Sequence, residues 1–445
     1  MQRITAFFTE LMRRYLPDPF VFAIGLTLLT MVLAVLVQGQ AVAALTASWG
    51  KGFWALLAFT TQMAVILAMG YVLATAPLTD RFLDRLVARV NHPRTAVIVA
   101  TLVGGIGSYL NWGFGLVVGG IVARKLALRV KGVHYPLIIA SAYSGFTLYG
   151  LGLSASIPVL ISTKGHPLEA QMGVIPLSQT IFSPAMLVTS FVVIVTLPLL
   201  NAWLHPKAGQ PVTEIDASLS LDAAATKQAA PALDIDEGNT FANRLNNSRI
   251  LSYVIGLIGM GYVALHFHQG GSIDLNLINF FILFLGIILL GTPIRYVEKL
   301  NEGIRTISGI ILQYPFYAGI MAIMASSGLV GTFSHAFVKV ATPATLPFWG
   351  LLSSFFINFF APSGGGHWVV QGPFMVEAAK SIGASVSHTS MSVMLGNAWN
   401  DLIQPFWILP ALAISRLRLK DIMGYTVIMM FWIGIVYTVA ILLWA

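Results

Sequence analysis

The stretch TAVIVATLVGGIGSYLNWGFGLVVGGIVARKL, residues 95–126, decides the fold. It is apolar toward both ends, broken by glycines at its centre, and bracketed by two basic clusters. Arg81, Arg85, Arg89 and Arg94 precede it; Arg124, Lys125, Arg129 and Lys131 close it. Cytoplasmic loops of membrane proteins carry the excess of Lys and Arg, so both ends read as cytoplasmic. A single helix cannot leave and return on one side. The stretch is therefore expected to be a re-entrant hairpin of two half-helices, with its tip at Asn111-Trp112-Gly113-Phe114-Gly115. Residues 345–376 repeat the pattern around Pro362-Ser363-Gly364-Gly365-Gly366-His367-Trp368 and are expected to form a second hairpin from the opposite side.

The rest of the chain fits the same setting. Of 445 residues, 57% are hydrophobic and 9% charged, where a soluble domain carries about 25% charged residues. The absence of cysteine excludes a disulfide framework, thiolate metal sites and a cysteine nucleophile. The net charge of +8 is spread in short clusters between apolar runs, a topological pattern and not a nucleic-acid-binding face. Runs long enough to cross a bilayer lie at 19–38, 52–76, 177–203, 249–267, 274–292, 302–328 and 422–444. Two more, 135–162 and 390–415, carry Gly, Ser, Asn and Pro in their middles. The run 19–38 is too long for a signal peptide and lacks a small-residue cleavage site; it reads as the first permanent span. Nine crossings plus two hairpins put all Lys and Arg except Lys51, Lys164, Lys339 and Lys380 on the cytoplasmic side, 21 of 25. They place the N-terminus, with Arg3, Arg13 and Arg14, inside and the C-terminus outside.

A shift of 251 or 252 residues superposes landmarks: Gly52 on Gly303, Gln62 on Gln313, Leu78 on Leu329, Asn111 on Ser363, Gly120 on Gly372 and Pro158 on Pro410. The polar stretch 204–248 separates the two halves. The expected organisation is an N-terminal membrane repeat (1–203), a cytoplasmic linker (204–248), and an extra crossing followed by an inverted second repeat (249–445). The fold class is thus an all-α polytopic membrane protein, an inverted repeat with two re-entrant hairpins and two broken transmembrane helices. Secondary carriers built this way place their site near the midplane, where the repeats meet.

Chemistry belongs at the interruptions. Unpaired backbone is costly in hydrocarbon and survives beside a polar cavity or inside protein. The half-helix after each tip offers free N–H groups and a positive dipole end to a carboxylate. The candidate substrate residues are Asn111, Trp112, Gly113, Gly115, Ser363, Gly364, Gly365, Gly366, His367 and Trp368; packing and tight turning are the plainer roles for the glycines. The broken helices offer Ser154, Ser156, Asn397, Asn400 and Asp401 to a coupling cation, a proton or sodium, with proline kinks satisfied by hydroxyls as the plainer role. His367 and Asp401 are the ionisable residues placed well inside membrane segments. His367 can carry a proton or donate to a carboxylate. Lys and Arg are absent from the deep segments, so a substrate anion must be held by helix ends, amide and hydroxyl donors and a co-bound cation. No resident cofactor is expected. An enzyme would need a nucleophile with a base or a metal set, and Ser363 with His367 has no third orienting group. A channel more often repeats whole subunits around a pore.

Several runs resemble the bacterial short-chain fatty acid transporters, the acetoacetate and butyrate permeases. They are Leu16-Pro17-Asp18-Pro19, Gly52-Phe53-Trp54, Asn111 through Gly119, Gln313-Tyr314-Pro315-Phe316-Tyr317-Ala318-Gly319, Pro362 through Trp368, Gln371-Gly372-Pro373 and Gln404-Pro405-Phe406-Trp407. The resemblance runs nearly end to end. It implies uptake of a short monocarboxylate by symport across the bacterial inner membrane, and a homodimer with an elevator-like motion. A channel, or a carrier for another small carboxylate, is the alternative.

Overall fold

The structure is a computed structural model describing residues 19–207, 209–216, 240–305, 307–359, 361–404, 407–408, 411–412 and 415–444. The N-terminal basic residues, Pro405, Phe406 and Pro410 lie outside the described residues. Every regular element among the described residues is helical.

The first half runs α1 (Pro19–Gln38), α2 (Val42–Gly52), α3 (Leu57–Ala74), α4 (Pro77–Ala88), α5 (Pro93–Leu110), α6 (Trp112–Arg129) and α7 (Tyr135–Ser144). A 3-10 turn (Gly145–Leu151), α8 (Ser156–Ile161) and α9 (Pro184–Trp203) complete it. The second half runs α10 (Arg249–His268), α11 (Leu275–Leu290), α12 (Pro293–Ile304), α13 (Ser308–Ser327), α14 (Leu329–Val340), α15 (Leu346–Ile357), α16 (Gly364–Ile382), α17 (Val386–Asn400) and α18 (Leu419–Trp444). Helix starts follow local chemistry. Proline opens α4, α5 and α9, where a missing N–H costs nothing. Ser248, Asp274 and Ser385 cap α10, α11 and α17 through their side-chain oxygens.

Eight helical stretches are long and apolar enough to cross a membrane among the described residues. Their outward faces carry large apolar side chains such as Leu28, Phe191, Ile250 and Leu257 in the open, where a bilayer replaces water. The chain is a multi-pass membrane protein. The amphipathic helices α4 and α12 were not visible as helices in the apolar runs. Each mixes charged and apolar residues (LTDRFLDRLVA and IRYVEKLNEGI after the opening proline), so its average polarity resembles a loop while its pattern is helical.

Helix starts in the two halves are separated by 251 to 253 residues. Helix starts at 57, 77, 93 and 112 are followed by starts at 308, 329, 346 and 364. Packing recurs as well, with partners exchanged: α1 and α2 pack on α13, while α11 and α12 pack on α3. A Cβ added to Gly52 would lie 2.3 Å from Ala322 Cβ on α13, and one added to Gly303 would lie 2.9 Å from the Ala68 carbonyl on α3. The long helices α3 and α13 thus stand between the two halves, behind the hairpin tips.

Candidate functional site

The first tip forms where Asn111 leaves helical geometry for an extended conformation (φ −154°, ψ 124°). Its Oδ1 accepts from Phe114 N–H at 2.8 Å, the N-cap of α6, and its Nδ2 donates to the Ile66 carbonyl of α3 at 3.3 Å. Trp112 N–H donates to Ser154 Oγ at 2.8 Å. Most of the orphan donors of this helix end are therefore served by the chain itself. α5 and α6 run antiparallel in backbone contact: a Cβ on Gly115 would sit 2.1 Å from Ser108 N. At the foot of the pair, Lys125 bridges to Asp80 and Asp84 of α4.

The second tip has the same backbone turn, with Ser363 at φ −152° and ψ 116°, but its side chain makes no cap. Ser363 Oγ meets the Tyr314 hydroxyl of α13 at 2.6 Å instead, and Gly366 N–H also turns to that hydroxyl. The Gly364 and Gly365 N–H groups are left without partners among the described residues. Gly364 allows close approach, since a Cβ there would lie 2.9 Å from Ser156 Cβ and 3.4 Å from Asn397 Oδ1.

Between the tips lies a cavity of about 10 Å³, room for roughly one water. Ser363, Gly364, Ser156, Tyr314 and Tyr149 form its polar wall, and Trp112, Phe146 and Trp407 its aromatic wall. The rings interlock: Trp112 and Trp407 meet edge-on at 5.3 Å, and Phe146 stacks on Tyr149 at 4.6 Å. Trp112 is buried and its indole N–H has no partner among the described residues. A second cavity, about 410 Å³, lies between Asn111 and helices α10 and α11. Its walls are almost wholly apolar, and Asn111, one of whose amide hydrogens is taken by the Ile66 carbonyl, is its main polar lining residue.

The cation candidates separate into two groups. Ser154 is spent on the first tip and Ser156 faces Gly364. Asn397, Asn400 and Asp401 gather at the end of α17 with Asn358 and Tyr149. Asp401 is fully buried; its Oδ1 accepts from Asn358 Nδ2 at 2.7 Å and its Oδ2 from the Tyr149 hydroxyl at 2.9 Å. Tyr149 also bonds Asn397 Oδ1, Asn397 Nδ2 bonds Asn358 Oδ1, and Tyr143 bonds the Asp401 carbonyl. His367 does not reach the cavity. Its Nε2 donates to Gln371 Oε1 at 2.5 Å and lies 3.1 Å from Ser354 Oγ, with the ring enclosed between α15 and α17. Trp368 is likewise buried and outside the cavity wall, and Gly365 and Gly366 lie against Phe59 and Tyr317.

Tyr149, Tyr314 and Asn358 were not among the sequence candidates. Asn358 gave a usable signal, a polar residue in the apolar arm SSFFINFF, which a search limited to ionisable groups passes over. The two tyrosines gave none, since an aromatic in an apolar span reads as packing.

A family model described as short chain fatty acid transporter matches residues 1–444. The chain belongs to that family. A protein of Escherichia coli (strain K12) named for short-chain fatty acid transport is 39% identical over 442 residues, covering 99% of both chains. One of Haemophilus influenzae with the same name is 37% identical over 433 residues, covering 96% of both. Among solved structures, the YdaH transporter of Alcanivorax borkumensis, whose topology is described as unusual, matches with a TM-score of 0.61. That match covers 96% of this chain and 98% of that one at 13% identity, a likeness of fold. This member of the short-chain fatty acid transporter family thus pairs one capped hairpin tip with one open tip.

Proposed function

We propose that the protein is a secondary active carrier that takes up short-chain fatty acid anions, acetoacetate, butyrate or similar, across the bacterial inner membrane together with a cation. One observation carries the reading: the uncapped start of α16, where Gly364, whose N–H is without a partner among the described residues, and Trp112, whose indole N–H is likewise unpaired among them, border one small cavity. Helix N-termini suit carboxylates, and the aromatic wall suits a tail of a few carbons. Among the described residues no Lys, Arg or His lines that cavity, so a co-transported cation must offset the anion. A cavity this small must widen to admit substrate, which favours a carrier that opens to each side in turn over a channel. Both hairpins are read as re-entrant, with the N-terminus cytoplasmic and a homodimer as the working unit.

The test is uptake of labelled acetoacetate into proteoliposomes of the full chain. Saturable uptake with accelerated counterflow is expected; uptake linear in concentration and without counterflow would contradict a carrier. For the topology, His92→Cys and His134→Cys variants of the cysteine-free chain should both resist an impermeant thiol reagent applied outside intact cells. Labelling of only one would make 95–126 an ordinary span.

A further inference from the structure

The cluster around Asp401 has a specific shortage of hydrogens. A carboxylate only accepts, an amide side chain donates two hydrogens, and a phenol donates one. The Tyr149 hydroxyl faces two acceptors, Asp401 Oδ2 and Asn397 Oδ1. It cannot serve both while Asp401 is ionised. If Asp401 carries a proton, the four contacts of the ring are satisfied in one direction, with the second Asn358 hydrogen left for Asn400 Oδ1 at 3.0 Å. Asp401 Oδ2–H donates to Tyr149, Tyr149 to Asn397 Oδ1, Asn397 Nδ2 to Asn358 Oδ1, and Asn358 Nδ2 back to Asp401 Oδ1.

The surroundings agree. Among the described residues no Lys, Arg or His pairs with Asp401; the titratable groups facing it are Tyr149, Tyr143 at its carbonyl and, through Thr147, Tyr437. His367 is engaged by Gln371 and Ser354. A bare carboxylate in a fully buried place without a cation is strongly disfavoured. Sodium fits this arrangement poorly, because the side-chain oxygens of Asp401, Asn397 and Asn358 are already taken by N–H and O–H donors.

We propose that Asp401, Tyr149, Asn397 and Asn358 form a closed hydrogen-bonded ring that holds the coupling proton on Asp401, and that Tyr149 reports its presence to the substrate cavity. Tyr149 belongs to both places, bonded to Asp401 and forming part of the cavity wall, and Asn397 Oδ1 packs beside Gly364. Loss of the proton leaves two acceptors facing one hydrogen, so the ring opens at Tyr149, beside the carboxylate anchor. One proton on Asp401 and one substrate anion cross together with no net charge.

This rests on the carrier reading, and the test separates the two. The full chain in proteoliposomes is given acetoacetate, since neutral butyric acid leaks through bilayers, with pH and sodium gradients imposed separately. In Asp401→Asn, which mimics the protonated ring, acetoacetate exchange persists and pH-driven accumulation is lost. In Tyr149→Phe, pH-driven accumulation falls about tenfold, the worth of one hydrogen bond, and its pH dependence shifts, while exchange also weakens because the same hydroxyl borders the cavity. Wild-type pH dependence in either variant, or wild-type uptake driven by sodium at fixed pH, would overturn the proposal. A second readout needs no substrate: pH-difference infrared spectra of the reconstituted protein should show a carboxylic acid carbonyl band that vanishes in Asp401→Asn and shifts in Tyr149→Phe. A band unaffected by both variants overturns the ring, whereas the expected band without acetoacetate transport keeps the ring and removes the substrate reading.

Discussion

Asn111 and Ser363 hold matching places in the two halves and nearly the same backbone angles, yet their side chains do opposite things. Asn111 turns onto its own helix and closes it; Ser363 turns away to Tyr314 and leaves two glycine N–H groups open. The difference comes from a residue far along the chain. Tyr314 reaches Ser363 from α13 at 2.6 Å, whereas Asn111 meets only a backbone carbonyl of α3. Matching places thereby carry one tip closed on itself and one whose first N–H groups have no partner among the described residues.

The largest effect expected is a glycine exchange that treats the tips differently. In Gly115→Ala the new methyl meets the Ser108 backbone, which can yield only by parting α5 from α6. The cost should be about 3 kcal/mol, the upper range of overpacking, seen as a sharply lower melting temperature and poor yield. In Gly365→Ala the methyl meets the edge of the Phe59 ring, 2.3 Å away, which can swing aside. That variant should fold and melt near wild type while losing substrate affinity, because the methyl also lies 3.2 Å from the Tyr314 hydroxyl of the cavity wall. Equal melting temperatures for the two would erase the distinction between the tips.

His367→Gln sharpens the second tip. The ring's Nε2 bonds Gln371 inside α16, behind the cavity wall, so the variant should lose about 1 kcal/mol of stability, a typical hydrogen bond, and keep pH-driven uptake. Loss of pH-driven uptake with exchange intact would move the proton from Asp401 to His367.

Which of this was legible in the sequence follows from what lipid punishes. Glycine and Asn or Ser at the centre of an apolar run stand out because exposed backbone has no partner in hydrocarbon, so both tips and the helix α1 were plain. The broken middle of 135–162 was plain for the same reason, and it appears as the turn Gly145–Leu151 followed by a break before Ser156. That one tip is capped and the other open was not legible, since Asn and Ser are both good N-caps and the choice is made by Tyr314 from another helix. Asp401 was legible as a buried charge, but its ring was not, because Asn358 and Tyr149 reach it from separate elements. The amphipathic α4 and α12 escaped a reading by apolar length.

The smallest expected effect concerns the feet of the hairpins. The loop after α6 is strapped by the linker: Thr213 N–H donates to His134 Nδ1 at 3.0 Å, Tyr135 N–H to the Thr213 carbonyl at 2.7 Å, and His134 N–H to His205 Nε2 at 3.3 Å. The turn from α16 to α17 is only Gly383 to Ser385. Burial lowers the pKa of His134 and His205 below the usual 6.5, with mutual charge repulsion adding to it at His134. A lowered folded-state pKa stabilises the strap above pH 6.5, and that contribution is lost as pH falls through the folded value. Hydrogen exchange at 205–216 should therefore quicken several-fold between pH 7.5 and pH 5, roughly 1 kcal/mol for a lost bond, while 383–385 shows no pH step. A pH-independent 205–216 would mean that the histidines do not hold it.

The most direct test of the account is the affinity of acetoacetate for Asn111→Ala and Ser363→Ala, measured side by side by calorimetry on purified full-length protein. Ser363→Ala removes the hydroxyl beside the open helix end, and binding should weaken about ten- to a hundred-fold, the cost of a lost hydrogen bond to a charged group. Asn111→Ala removes a cap, so it should lower stability by about 1 kcal/mol and leave affinity within about twofold, well under 1 kcal/mol. Unchanged affinity in Ser363→Ala together with a large loss in Asn111→Ala would place the anion at the first tip and contradict the account.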